Sequence, residues 1–411
     1  DASDAVYREM LNMNAFALHP KVCIARNLNA REQYDQALAL LDECLKYDSD
    51  YAEIYRFRMQ AYEGKKEFKK MIDEMITLYE KSENVNHLSE KRFLKDRKYA
   101  FAVIREKIAG EEDNVLWRYL LASLYKACHM YAEAVPLYGG LMEEYGVDED
   151  LLEERAECYE EMGFTDLALA DIDKAIEVGR ERNRPYYYAV RSSINRHAGR
   201  YQECIDDIEK YIERYPTDAY GYYVRGWCKE LSGNRAGAYE DYDEGIAVDE
   251  DYPYIFLMRG TLYLEDGDVE KANQDFERVV AKDTTLESGS CRHYALNFLG
   301  RTEEALEWME KLVELDADDP GIWYDKACLL ARMGRCEESV AALKVSLEKG
   351  YRSFPHLEHD NDMDPVRDRE DYKALIAEYQ EILLEEMDKA GIAEQCEEEA
   401  VVTEVDMKKT Y

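Results

Sequence analysis

The stretch YYVRGWCKELSGNRAGAYEDYDEGIAVDED (222–251) contains one cycle of a pattern that organises most of the chain. Its midpoint is Gly233. Seven residues earlier stands Gly226, five later Ala238, and nine later Tyr242. A glycine at the midpoint ends one helix by accepting a left-handed backbone, and a second helix follows. The small residues mark the closest approach of the two helices, and the bulky one fills the space towards the next pair.

The cycle recurs. Gly163, Gly199, Gly233, Gly267, Gly300 and Gly334 are spaced by 36, 34, 34, 33 and 34 residues. Seven before them come Ala156, Ser192, Gly226, Gly260, His293 and Ala327; nine after come Ile172, Ile208, Tyr242, Phe276, Met309 and Leu343. One helical hairpin cannot bury its own apolar face, so hairpins stack on one another.

The pattern resembles the tetratricopeptide repeat, carried by 222–251 and by FLMRGTLYLEDGDVEKANQDFERVVAKD (256–283). The resemblance implies an all-α, right-handed solenoid of about ten helix pairs. Earlier units are weaker. Tyr34, Ala37 and Leu41 anchor one second helix, Phe68, Met71 and Met75 the next, and Tyr131, Ala134 and Tyr138 another; 82–110 reads as an irregular pair anchored by Tyr99 and Ala102. The expected organisation is degenerate helical repeats over 1–110, tetratricopeptide repeats over 111–350, a capping segment over 351–380 and an acidic tail over 381–411. The cap KGYRSFPHLEHDNDMDPVRDREDYKALIAEY (349–379) resembles the segment closing many bacterial arrays of this type. VVTEVDMKKTY (401–411) resembles the leading strand of the retropepsin-like aspartic protease domains that follow some of them, whose D-[TS]-G motif is absent from this sequence. If that likeness holds, the chain is the non-catalytic repeat region of an enzyme whose catalytic domain lies beyond residue 411.

Composition narrows the function. Ninety acidic against 53 basic residues give a net charge of −37, which repels nucleic-acid phosphates and favours neutral or cationic partners. No apolar run approaches the roughly 20 residues of a membrane span. The sequence begins at Asp1, so the lack of a leader says little; a cytoplasmic location is expected, with a periplasmic or secreted one open. Ten scattered cysteines without a CxxC pair read as reduced packing residues.

No enzyme signature is present, no cofactor is expected, and the chain reads as non-catalytic over these residues. The acidic run HLEHDNDMDPVRDRED (356–371) nears calcium-loop spacing, but Pro365 stands where that loop needs glycine. Helix capping by Asp is the better reading, and no metal site is expected.

Arg155, Arg191, Arg225 and Arg259 lie eight residues before the turn glycines, with Asp171, Asp207, Asp241 and Asp275 sixteen residues after them; Arg58 and Glu74 share the offset. These predict ion pairs within each hairpin. Arg292 and Lys326 continue the series, but Trp308 and Ala342 stand at the partner position, so these two cations are expected to meet a ligand.

In the tetratricopeptide fold the first helix of each pair lines the concave face. Positions 13, 10 and 6 before the turn glycine hold Tyr186, Tyr220, Tyr223, Trp227, Tyr254, Tyr294 and Tyr324, with Phe298 close by. Large stiff aromatics are typical binding anchors. With Arg292 and Lys326 they form the expected groove for a peptide or partner helix, and the expected role is that of a protein-interaction scaffold.

Overall fold

The computed structural model describes residues 2–14, 17–82, 90–111, 114–286 and 289–389, and no strand occurs among them. The chain divides into two compact units, Asp1–Cys128 and His129–Tyr411. The first holds α1 (Ala2–Met13), α2 (Leu18–Asn29), α3 (Tyr34–Leu45), α4 (Ala52–Gly64), α5 (Phe68–Ser82), α6 (Glu90–Phe93), α7 (Arg97–Gly110) and α8 (Val115–Ala127). The second holds α9 (Tyr131–Tyr145), α10 (Glu149–Glu161), α11 (Thr165–Val178), α12 (Arg184–His197), α13 (Tyr201–Arg214), α14 (Ala219–Leu231), α15 (Arg235–Val248), α16 (Pro253–Glu265), α17 (Val269–Lys282), α18 (Arg292–Phe298), α19 (Thr302–Leu315), α20 (Pro320–Arg332), α21 (Cys336–Glu348), α22 (Phe354–His359), α23 (Asp364–Arg367) and α24 (Glu370–Lys389).

In the first unit α2 packs on α3 and α4 on α5, with Ala37, Leu41, Met71 and Met75 fully buried between them. The irregular pair differs from expectation. Ala102 is exposed, and α7 is anchored instead by Ala100 and Ile104, while the Tyr99 hydroxyl reaches Asp73 at 2.7 Å.

In the second unit α10–α11, α12–α13, α14–α15, α16–α17, α18–α19 and α20–α21 are hairpins. Their turn glycines, Gly163 to Gly334, all have positive φ between 72° and 85°. Where helices touch, size is matched across the hairpin. A Cβ on Gly226 would lie 2.6 Å from the Tyr242 ring, and one on Gly260 2.7 Å from Phe276. The same two places hold Ala156 with Ile172 and Ala327 with Leu343, all buried. An aromatic ring demands glycine opposite; an aliphatic side chain leaves room for alanine.

The expected ion pairs form. Arg155, Arg191 and Arg259 each grip their Asp through two bonds of 2.6–2.8 Å, Arg225 holds Asp241 at 2.6 and 3.0 Å, and Arg58 reaches Glu74 at 2.8 Å. Each of these Asp is buried. The arginines also reach back: Arg259 to Asp243 and Arg191 to Asp173 at 2.5 Å, Arg225 to Glu209 at 3.9 Å, and Arg58 to Asp42. Each cation thus ties its own second helix to that of the preceding hairpin.

The cysteines do not all stay reduced. Cys204 on α13 and Cys228 on α14 form a disulfide between successive hairpins, because both side chains are buried at the same helix contact. Of the expected acidic tail, 390–411 lies outside the described residues, as does the strand expected at 401–411. The cap is present as α22, α23 and α24, and Asp360 caps the short turn at Asn361–Met363 by accepting from the Asp362 amide at 2.9 Å.

Candidate functional site: the inner aromatic face

First helices of successive hairpins pack on one another, α12 on α14, α14 on α16 and α18 on α20. They form the tighter layer, so their free sides line the inner face of the second unit. Tyr220, Tyr223, Trp227 and Tyr254 come together there. Tyr223 is the hub, with ring centroids 6.4 Å from Tyr220, 5.7 Å from Trp227 and 5.8 Å from Tyr254. Tyr252, which precedes α16, joins at 5.8 Å. These rings are half-buried, and burial pushes the Tyr223 hydroxyl well above the ordinary tyrosine range, keeping it protonated.

The other expected aromatics are placed differently. Tyr186 is half exposed and donates to Glu153 at 2.8 Å, away from the hub. Tyr294 donates to Asp325 at 2.8 Å. Burial pushes the Asp325 carboxyl up to about 7, although the Tyr294 bond opposes this. Tyr324 is buried, stacks on Tyr351 of the cap at 4.6 Å and donates to Asp360 at 2.5 Å. It is therefore covered by the chain's own cap and is not an open groove residue. Phe298 stacks on Phe276 at 4.8 Å within the core.

The two cations expected to lack partners have them. Lys326 pairs with Glu310 at 2.9 Å, sixteen residues back on the preceding second helix, a direction the forward comparison does not test. Arg292 donates to the Val280 carbonyl and to that of Asp283 at 3.0 Å, closing the end of α17, and lies over Trp308 at 4.9 Å. Both are engaged with second helices, Arg292 with α17 and Lys326 with α19.

The cap approaches the inner face from one end. A Cβ on Gly163 would lie 2.9 Å from Pro355, and one on Gly350 2.7 Å from the Cβ of His129. Arg332 pairs with Asp362 at 2.7 Å, and Cys328 meets Met363. The sequence reading missed two contributors, Tyr252 and Arg196. Arg196 lies over Trp227, 3.9 Å from the ring centroid. Its signal is its phase: it stands three residues before Gly199, where the ladder arginines stand eight before.

The family model of the tetratricopeptide repeat matches residues 294–319, the end of one hairpin's first helix, its second helix and the following turn. These residues carry a tetratricopeptide repeat. The chain is 22% identical over 372 residues to a TPR repeat-containing protein of Methanocaldococcus jannaschii, covering 79% of this chain and 63% of that one. It is 23% identical over 198 residues to tetratricopeptide repeat protein 13 of Homo sapiens, covering 47% of this chain and 23% of that one. The chain thus spans less than two-thirds of the length of these relatives. A solved tetratricopeptide repeat protein from Parabacteroides merdae is 16% identical and aligns with 68% of this chain and 98% of its own, at a TM-score of 0.44. No described helix of this repeat protein is long and apolar enough to cross a membrane.

Proposed function

We propose that the second unit is a protein-interaction scaffold that holds a segment of another protein, an extended peptide or a helix, against Tyr220, Tyr223, Trp227 and Tyr254. The observation that carries this reading is the state of the tyrosine hydroxyls. Tyrosines with a structural task spend theirs on the protein: Tyr187 on Asp150, Tyr211 on Asp218, Tyr239 on Asp266 and Tyr242 on Glu230. The hydroxyls of Tyr220, Tyr223 and Tyr252 meet no acceptor among the described residues, whereas that of Tyr254 donates to the Gly289 carbonyl and Tyr254 offers only its ring. Three unspent donors on one aromatic platform suit a partner backbone. The strongly negative chain favours a partner that is neutral to cationic overall.

The test is a pull-down from native lysate with wild type and Trp227→Ala, followed by titration against any partner found. A central aromatic anchor is worth about 2 kcal/mol or more, so the variant should bind at least about tenfold more weakly with its helical circular dichroism unchanged. Equal affinity would overturn the inner-face reading.

A further inference from the structure

The turn glycines of the second unit look outwards into free space, with one exception. A Cβ on Gly233, Gly267, Gly300 or Gly334 would meet nothing within 4 Å, and one on Gly199 only the Tyr201 hydroxyl of its own hairpin. Gly163 is covered by Pro355, from the far end of the array. The cap also reaches one turn further back, where Gly350 meets His129, the residue of φ 57° that precedes α9. In the other direction His356 comes close enough to His197 and Arg196, at the end of α12, for them to act on it electrostatically. Residues 350–356 thus lie across successive turns at the start of the unit. Six hairpins bring the chain back to where they began, and the array closes into a ring around its aromatic face.

The two sides of this closure are unequal. On one side the cap is fastened to the last hairpin: Tyr351 stacks on Tyr324, Met363 meets Cys328 and Asp362 pairs with Arg332. On the other side turns make the contact. No helix of the cap packs lengthwise on α10 or α11 among the described residues, and Pro355 and His356 are exposed. The ring also has one thin place. α18 is seven residues long where the other first helices of the unit have 13 or 14, so α20, α21 and the cap can swing there as one body.

We propose that the cap is a latch. Seated on His129 and Gly163 it closes the ring, and a segment reaches the aromatic face only through an end of the ring. Lifted off together with α20–α21, it opens the ring from the side while every hairpin stays folded. The latch does not depend on what the aromatic face holds.

The test places spin labels on the full chain at Asp166→Cys and Glu358→Cys, exposed positions on opposite sides of the closure. Cys336 and Cys396 are replaced by serine, and the other free cysteines are buried. Double electron–electron resonance then reads the gap. Wild type should give one short, narrow distance. Gly163→Asn sets a side chain against the rigid Pro355 ring and should shift the distribution to longer distances, while asparagine tolerates the left-handed turn. Gly233→Asn makes the same change at φ 85°, against 84° for Gly163, where nothing is in the way, and should leave the distance unchanged. Pro355→Ala withdraws the ring from the cap side and should lengthen the distance without altering the turn. In rising urea the short distance should vanish before helical circular dichroism falls, because a latch opens below global unfolding. A gap that Gly163→Asn and Pro355→Ala leave as in wild type, or a short distance lost only together with helicity, overturns the latch. Equal lengthening by Gly163→Asn and Gly233→Asn traces the effect to the turn itself and overturns it too. A broad wild-type distribution would show the ring open at rest and overturn the closure.

Discussion

The guanidinium of Arg259 meets both oxygens of Asp275 at 2.8 Å, and Asp275 is itself buried. Removing the cation strands a carboxylate away from water, because Arg278 approaches it only at 3.8 Å. Arg259→Leu is therefore expected to destabilise the fold by about 3 kcal/mol, and Arg259→Leu with Asp275→Leu by clearly less. Urea unfolding followed by circular dichroism distinguishes the two; equal losses would show that packing of the arginine stem carries the effect.

Gly260 gives a steric prediction. Its missing Cβ leaves room for Phe276, so Gly260→Ala should cost about 1–3 kcal/mol despite alanine's better helix propensity. Adding Phe276→Leu recreates the Ala327–Leu343 combination found elsewhere in the array. The double variant should be more stable than Gly260→Ala alone, as read by thermal midpoints.

Much of this architecture is legible in the sequence because it is periodic. The turn glycines need positive φ, and the Arg–Asp pairs sit at a fixed offset, so repetition exposes both. What escapes is whatever joins one hairpin to another out of phase. The backward pair of Lys326 with Glu310 crosses a hairpin boundary, and Cys204 and Cys228 lie 24 residues apart, which is not a repeat distance. The fate of the aromatics escapes too. Tyr223 and Tyr324 occupy the same phase, yet one is a half-open hub and the other is sealed under Tyr351, because only the cap decides which is covered.

Asp325 makes stability depend on pH. Its folded pKa of about 7 stands above the roughly 4 of an unfolded aspartate, so between these values the folded state holds the extra proton. Stability should then rise as pH falls from about 7 towards 4, and fall as pH rises through that window. Burial likewise raises the neighbouring Asp362, so the comparison must be made against a variant. Asp325→Asn should raise the melting temperature at pH 7.5, with the gap closing towards pH 5. A gap independent of pH would locate the titration elsewhere.

The cap prediction is dynamic. Tyr351→Ala removes the stack on Tyr324, which should loosen Phe354–His359 while leaving α16 and α17 intact. Amide hydrogen exchange should speed up in the cap segment and in α20 alone. Uniform acceleration across the second unit would mean that the cap and the hairpins open as one.

The ladder cations bear on how such an array can change length over generations. Arg259 takes one carboxylate sixteen residues ahead and one sixteen behind, both within a single period on either side. A hairpin copied or lost as a whole would carry its cation into register with the flanking carboxylates, so recombination inside the array leaves no charge without its counterpart. The end next to the cap behaves otherwise. Lys326 is matched only backwards, with Ala342 ahead of it, and a unit spliced in there would find an apolar residue where its own cation reaches back. Gain and loss of repeats should therefore fall among the hairpins that share the full Arg–Asp pattern, and spare the junction with the cap.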